Sequence, residues 1–209
     1  MEMRRTAELA ATAIFSAMAV ALTLAKLTIP YPLLPYLKFD LSEVPVTIAL
    51  LLMGPLSGLS ASIIYWLILT LMAGDVLGPA MKFAAVASMM LGFTLGALLS
   101  RRAGGGFRLS MVVGLLLGAL TRVLAMSLLN FVILTVVAPY YLEFAKPLLA
   151  SIGLRVSSNL TALLWVLALT AIYNLLHTLL AVLPAYLISE AALRRTPGLL
   201  GGRWLWKKL

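Results

Sequence analysis

Between Val44 and Ala73 the chain runs without one Asp, Glu, Lys or Arg, and this restricts its fold more than any other feature. A helix on the surface of a water-soluble domain is apolar along one stripe only; an uncharged run of this length has no face to turn to water. At about 1.5 Å per residue it is also too long for one bilayer crossing, which takes about 20 residues. Gly54-Pro55 interrupts it, and Pro suits the first position of a new helix. The run predicts two rather short spans joined by a tight turn.

Four more spans follow from the same criterion. The first runs from Ala7 to Thr28 and is stopped by Pro30, Pro32 and Pro35, since Pro removes a helical donor. The fourth covers 79–100, the fifth 109–137 and the sixth 160–189. Hydrophobic residues make up 63% of the chain and charged ones 11%, with a mean hydropathy of +1.07, whereas soluble domains carry about a quarter charged residues. The expected fold is an all-α integral membrane protein, residues 1–209 forming one domain of six transmembrane helices. Arg4 and Arg5 precede an apolar stretch as in a signal peptide, but that stretch has no small-residue cleavage site before Lys26, so it is expected to be a retained first helix.

The net charge of +9 does not indicate nucleic acid, because the basic residues sit in small clusters between apolar runs rather than along one face. They instead assign sidedness by the excess of Lys and Arg in cytoplasmic loops. With both termini cytoplasmic, that side receives Arg4, Arg5, Arg101, Arg102, Arg108, Arg194, Arg195, Arg203, Lys207 and Lys208, ten of the sixteen. The outer loops hold Lys26, Lys38, Lys146 and Arg155, balanced by Asp40, Glu43, Asp75 and Glu143. Trp204 and Trp206 beside Lys207 and Lys208 are expected to anchor at headgroup level. No internal repeat is evident, which argues against an inverted-repeat carrier. The longer loops, 29–43 and 139–159, with Tyr31, Tyr36, Tyr140 and Tyr141, lie outside and suggest an outward-facing site.

Several chemistries are excluded. Cysteine is absent and histidine occurs once, which removes disulfides, thiolate metal sites and His-rich centres; no metal is expected. There is no Walker A pattern and no Gly-x-Ser-x-Gly, so the chain does not power transport itself and no catalytic residues are assigned. The rival class is a membrane enzyme built on His177 and Arg122, disfavoured because no paired acids occur within the spans.

Polar groups inside apolar spans are costly and are therefore the site candidates. Tyr173, Asn174 and His177 lie in the sixth span, and the i, i+3 spacing puts Asn174 and His177 on one face. The bland alternative for these, and for Asn130 in the fifth span, is an interhelical hydrogen bond. Lys82, just inside the fourth span, is expected to snorkel outward. Arg122 lies deep in the fifth with no partner identifiable from sequence. Ala13, Ala17 and Ala21 form a smooth stripe on the first helix, along which another helix can approach closely.

Taken together, several motifs resemble the substrate-binding S component of energy-coupling factor (ECF) vitamin transporters, most closely the riboflavin-specific kind, over almost the whole chain. Lys38-Phe39-Asp40-Leu41-Ser42-Glu43-Val44-Pro45 and Leu52-Met53-Gly54-Pro55-Leu56-Ser57-Gly58 resemble that family's entry to helix two and its Gly-Pro-x-x-Gly link to helix three. Pro79-Ala80-Met81-Lys82-Phe83 resembles its Met-Asn-Phe segment, Leu128-Leu129-Asn130-Phe131 its Leu-Asn-aromatic segment, and Tyr173-Asn174-Leu175-Leu176-His177 its aromatic-Asn-x-x-Lys segment. Lys82 and His177 depart from the pattern, as though one cation had moved from helix six to helix four.

The resemblance implies an outward-facing vitamin pocket. Asp40, Leu41, Met81, Lys82, Asn130, Tyr173, Asn174 and His177 are its implied ligand-binding residues, and Ala13, Ala17 and Ala21 its implied docking stripe. The implied cargo is riboflavin or a related small molecule, with no resident cofactor. The implied partners are a transmembrane coupling subunit and two ATPase subunits in a prokaryotic plasma membrane. The open alternative is an S component for another vitamin.

Overall fold

The computed structural model describes residues 2–195 and 204–205. The chain forms α1 (Glu2–Leu24), a hairpin of β1 (Thr28–Tyr31) and β2 (Leu34–Asp40), α2 (Glu43–Met53), α3 (Pro55–Ala73), α4 (Leu77–Arg102) and α5 (Phe107–Val132). A π-helical turn, Ile133–Val137, extends α5, and α6 (Tyr140–Ser151) and α7 (Asn159–Arg195) follow. The fold is helical apart from the hairpin, and the predicted spans correspond to α1, α2, α3, α4, α5 with its π turn, and α7. Four of them, at 55–73, 77–102, 107–137 and 159–195, are long and apolar enough to cross a membrane; 8–24 and α2 are shorter apolar helices.

Helix α2 is the axis of the molecule. Every residue from Glu43 to Leu52 is buried, as expected for a helix that is apolar all round. Leu50, Leu51, Met89, Phe93, Ala181 and Ala185 belong to the core packed around it. At the predicted break, Gly54 adopts φ +112, a conformation that favours glycine, and its N–H reaches Leu50 O at 3.0 Å. Pro55 opens α3. Gly58 completes the link: a Cβ there would lie 2.8 Å from Leu50 Cβ, so only a bare backbone lets α3 turn back against α2.

Lipid tails are as apolar as leucine, so packing rather than hydrophobic exclusion must join helices within a membrane, and small residues serve this best. The contact of α4 with α5 follows that rule. A Cβ on Gly96 would meet Val113 O at 2.6 Å, and one on Gly114 would meet Phe93 at 3.1 Å. On α1, Thr12, Ser16 and Ala19 turn inward, whereas Ala13, Ala17 and Ala21 are exposed. Internal packing of α1 therefore uses the opposite face from the predicted alanine stripe.

The segments expected to be loops are ordered elements. In the hairpin, Thr28 pairs with Asp40, Ile29 with Phe39 and Pro30 with Lys38 before the register shifts at Tyr31. Tyr31 and Leu34 are buried in a second core with Leu142, Ala145 and Leu149 of α6 and Leu163 and Val166 of α7. Helix α6 thus has a short buried stripe, and Pro147 within it disguised it as a loop.

One expectation fails at the opposite end. Trp204 is not a headgroup anchor: its Nε1 donates to Leu50 O at 2.7 Å and its ring covers Gly54, while Leu205 is buried in the main core. Arg101 also donates to Trp204 O. The indole is thus a second donor to the carbonyl that already accepts from Gly54 N–H, and uses its other lone pair where α2 ends. Arg203, Trp206, Lys207 and Lys208 lie outside the described residues, as do the side chains of Arg4 and Arg5.

Candidate functional site

A cavity of about 860 Å³ opens at the hairpin end of the bundle. Its wall takes Tyr36, Leu37, Lys38 and Asp40 from the hairpin, Met81 and Lys82 from α4, Met126 and Asn130 from α5, Tyr141 and Phe144 from α6, and Thr170, Tyr173, Asn174 and His177 from α7. Glu43 and Arg122 contribute to its wall as well.

The short segment 40–45 sets up much of the chemistry. The Asp40 carboxylate accepts from Ser42 N at 2.9 Å and from the Ser42 hydroxyl, a turn geometry for which Asp is suited. Glu43 opens α2, where the positive end of the helix dipole favours an anion. Pro45 falls in the first turn, where helical N–H groups have no partner to lose. Asp40 and Glu43, three residues apart, are thereby delivered to cations on two different helices.

Glu43 meets Arg122. Arg122 Nη1 lies 2.6 Å from Glu43 Oε2 and Nη2 3.0 Å from Oε1, a two-pronged pairing that only a planar guanidinium makes. Arg122 Nε donates to Asn174 Oδ1 at 3.0 Å. Arg122 and Glu43 are each 1% exposed; a charge so deeply buried is tolerated only when paired and hydrogen-bonded. Asn174 Nδ2 donates to Thr170 O at 2.9 Å, which fixes the amide orientation.

Asp40 meets Lys82. Lys82 Nζ lies 2.6 Å from Asp40 Oδ2 and 2.7 Å from Ser42 Oγ, so it does not snorkel as expected. Ser42 Oγ also lies 2.9 Å from Tyr65 Oη, and Tyr65 Oη 2.8 Å from Thr23 Oγ1, which extends the polar chain to α1. Asn130 Nδ2 donates to Met126 O at 2.7 Å. Its side-chain oxygen takes no hydrogen bond among the described residues, and the residue lines the cavity.

The structure therefore brings together Asp40, Met81, Lys82, Asn130, Tyr173, Asn174 and His177 around one space. Leu41 is not part of that wall and is 40% exposed. Sequence reasoning missed that Glu43, counted among solvated loop charges, is the partner of Arg122. The signal was available: an arginine deep in a span needs an acid at membrane depth, and Glu43 is one of the acids followed at once by an uncharged span. Thr170 carried no comparable signal.

Such a cavity, lined by apolar side chains with a few convergent amides and walled by helices of a membrane bundle, has the character of a small-molecule site. The chain belongs to the family of substrate-specific components of ECF transporters, whose model matches residues 7–189. Its family and relatives are transporter components, not enzymes, which removes the reading built on His177 as a catalytic group.

The riboflavin transporter FmnP of Bacillus subtilis (strain 168) is 32% identical over 143 residues, covering 65% of this chain and 70% of that protein. The riboflavin transporter RibU of Staphylococcus aureus (strain TCH60) is 31% identical over 135 residues, covering 64% and 68%. A solved structure, described as "Structure and mechanism of the S component of a bacterial ECF transporter", matches with a TM-score of 0.69 at 22% identity. That match covers 91% of this chain and 98% of the other, and establishes the shared fold.

Proposed function

We propose that this protein is the riboflavin-binding S component of an ECF-type importer. It sits in a prokaryotic plasma membrane with six crossings, both termini cytoplasmic and the hairpin outside. It captures the vitamin at the outer face. A transmembrane coupling subunit and two ATPase subunits then drive its delivery inward. The observation that carries this reading is the cavity at the hairpin end, of a size suited to a small organic ligand and walled by Asn130 and Asn174.

The chemistry of the wall fits an uncharged, planar, polar-edged molecule. Lys38, Lys82 and Arg122 are balanced by Asp40, Glu43 and Asp75, so the wall offers no net charge to an ion. Asn130 keeps a free acceptor and donor, and Asn174 keeps one further lone pair and one further N–H. These can satisfy imide and ribityl groups, which are costly to leave unpaired in a dry pocket. Met81, Met126, Tyr36 and Phe144 offer surfaces against which a ring system can be buried. The two named riboflavin transporters support the choice of flavin. Arg101, Arg102, Arg108, Arg194 and Arg195, at the end opposite the hairpin, support the orientation. The exposed Ala13, Ala17 and Ala21 support α1 as the docking helix.

The test is the absorption spectrum of protein purified in mild detergent from a riboflavin-containing host, followed by titration of stripped protein with riboflavin. A bound flavin band and saturable quenching, weakened at least tenfold (~1.4 kcal/mol) by Asn174→Ala, are expected. A colourless protein that does not quench riboflavin fluorescence overturns the choice of vitamin.

A further inference from the structure

Several polar groups in the wall of the cavity are spent on one another or on the backbone. Arg122 gives its N–H groups to Glu43 and Asn174, Lys82 is held by Asp40 and Ser42, and Tyr173 donates to the carbonyl oxygen of Lys38 at 2.7 Å. Thr170 differs from these. It is 5% exposed and lines the cavity, yet its hydroxyl has no hydrogen-bond partner among the described residues.

Threonines elsewhere in the chain show what that departs from. A helical threonine has two side-chain arrangements open to it, and one of them lets Oγ1 bond a carbonyl a turn earlier. Eight threonines in helical segments, from Thr12 of α1 to Thr178 of α7, make that bond to the carbonyl oxygen four residues back, at 2.7–3.1 Å. For Thr170 the corresponding acceptor is the carbonyl oxygen of Val166, inside the same helix. Its hydroxyl leaves that acceptor alone.

Tyr31 and Ser189 also carry hydroxyls without a partner, but those oxygens are sealed within the protein. The Thr170 oxygen is not sealed, and the space its residue borders is the cavity. In the empty protein only water entering the cavity can serve it. Valine has nearly the same shape and no polar atom to satisfy, so packing alone gives no reason for a threonine here. A bound molecule that supplies the missing partner does.

We propose that Thr170 is a cargo-binding residue whose hydroxyl forms a hydrogen bond with a hydroxyl or carbonyl group of the bound molecule. Thr170 and Asn174 are four residues apart, about 6 Å along α7, and share one face of the helix, so a single ligand can meet both. They offer different things. The Asn174 amide is held in one orientation by Arg122 Nε and by the carbonyl oxygen of Thr170, so its remaining donor and acceptor have fixed places. A hydroxyl rotates, and donates or accepts as the ligand requires. This contact rests on the reading of the cavity as the riboflavin site.

The test is titration of stripped protein with riboflavin, paired with thermal melting of the same samples without it. Thr170→Val keeps the branched shape and removes the hydroxyl. It should weaken riboflavin binding about fivefold, the scale of one net hydrogen bond, while the melting midpoint of the empty protein stays where it is or rises. Thr170→Ser, which retains a hydroxyl, should hold the affinity within about twofold of wild type. The control is a threonine that already has a partner on another helix: Thr121→Val loses the bond to Ser88 O at 2.9 Å and should lower the empty midpoint. Thr170→Ala serves if the valine is not accommodated. Undiminished riboflavin affinity in Thr170→Val, or an empty midpoint that falls as far as in Thr121→Val, overturns the contact alone. Wild-type protein that does not bind riboflavin rejects the cargo, and the contact with it.

Discussion

Replacing Arg122 with Met should destabilise the protein far more than replacing Arg122 and Glu43 together. In the single variant the Glu43 carboxylate, 1% exposed, loses its bonds at 2.6 and 3.0 Å, and Asn174 Oδ1 loses its donor at 3.0 Å. Breaking a buried pair from one side costs about 3–5 kcal/mol. On the scale of soluble domains of similar length, at about 2–4 °C per kcal/mol, the thermal midpoint falls by roughly 6–20 °C. Glu43→Met alone strands the guanidinium and should cost a similar amount. In the double variant two unbranched apolar side chains replace the pair, no charge is left unpaired, and the residual cost is about 1–3 kcal/mol for the Asn174 acceptor. A double-mutant cycle by thermal unfolding in one detergent should therefore give a coupling of about 3 kcal/mol or more, well beyond the ~0.5 kcal/mol scatter of independent sites. If the two single effects simply add in the double variant, the pair is not the electrostatic unit described here.

Other substitutions probe separate parts of the structure. Ala17→Leu, on the outward face of α1, should leave riboflavin affinity within about twofold (~0.4 kcal/mol) yet reduce co-purification with the coupling subunit; loss of binding with assembly intact refutes this division of labour. Gly96→Ala should cost about 1–3 kcal/mol by overpacking, because its Cβ would press on Val113 O at 2.6 Å. Gly106→Ala, where a Cβ meets nothing within 4 Å, is its control in the same melting assay. Tyr65→Phe removes the hydroxyl between Thr23 and Ser42 and should cost about 1 kcal/mol; an unchanged melting temperature would count against the polar chain from α1 to the hairpin.

How much of this was legible in the sequence depended on whether the signal was local. The break at Gly54-Pro55 and the apolar helices on either side are written in a few consecutive residues, and the structure places them there. So is the pairing of Asn174 with His177 on one face, since helical spacing alone decides it. The hairpin was not legible: its strands hold Pro30 and Pro35, which read as punctuation, and its order comes from Tyr31 and Leu34 buried against α6 and α7. Helix α6 was hidden for a related reason, its buried stripe being short and Pro147 lying inside it. Lys82 was misread because snorkelling is the default for a lysine near a span end, and only the folded chain shows that Asp40 and Ser42 hold it. Trp204 was misread because an aromatic beside lysines matches a membrane anchor as well as it matches a cap on Leu50.

Asp40 and Glu43 show why the fold and the site cannot be assigned to separate residues. Lying three apart, they flank the N-terminus of α2 and bind Lys82 on α4 and Arg122 on α5. The helix that forms the axis of the bundle is thus held at its hairpin end by the same side chains that line the cavity. This also accounts for the tolerance of a lysine at position 82. A cation added to α4 would ordinarily charge the cavity and discourage an uncharged ligand, but Asp40 receives it at 2.6 Å and the wall stays balanced. Removing Asp40 would therefore do more than delete a counter-ion. It would free Ser42 from its turn, release Lys82 towards the cavity, and untie the segment that leads into α2 from α4.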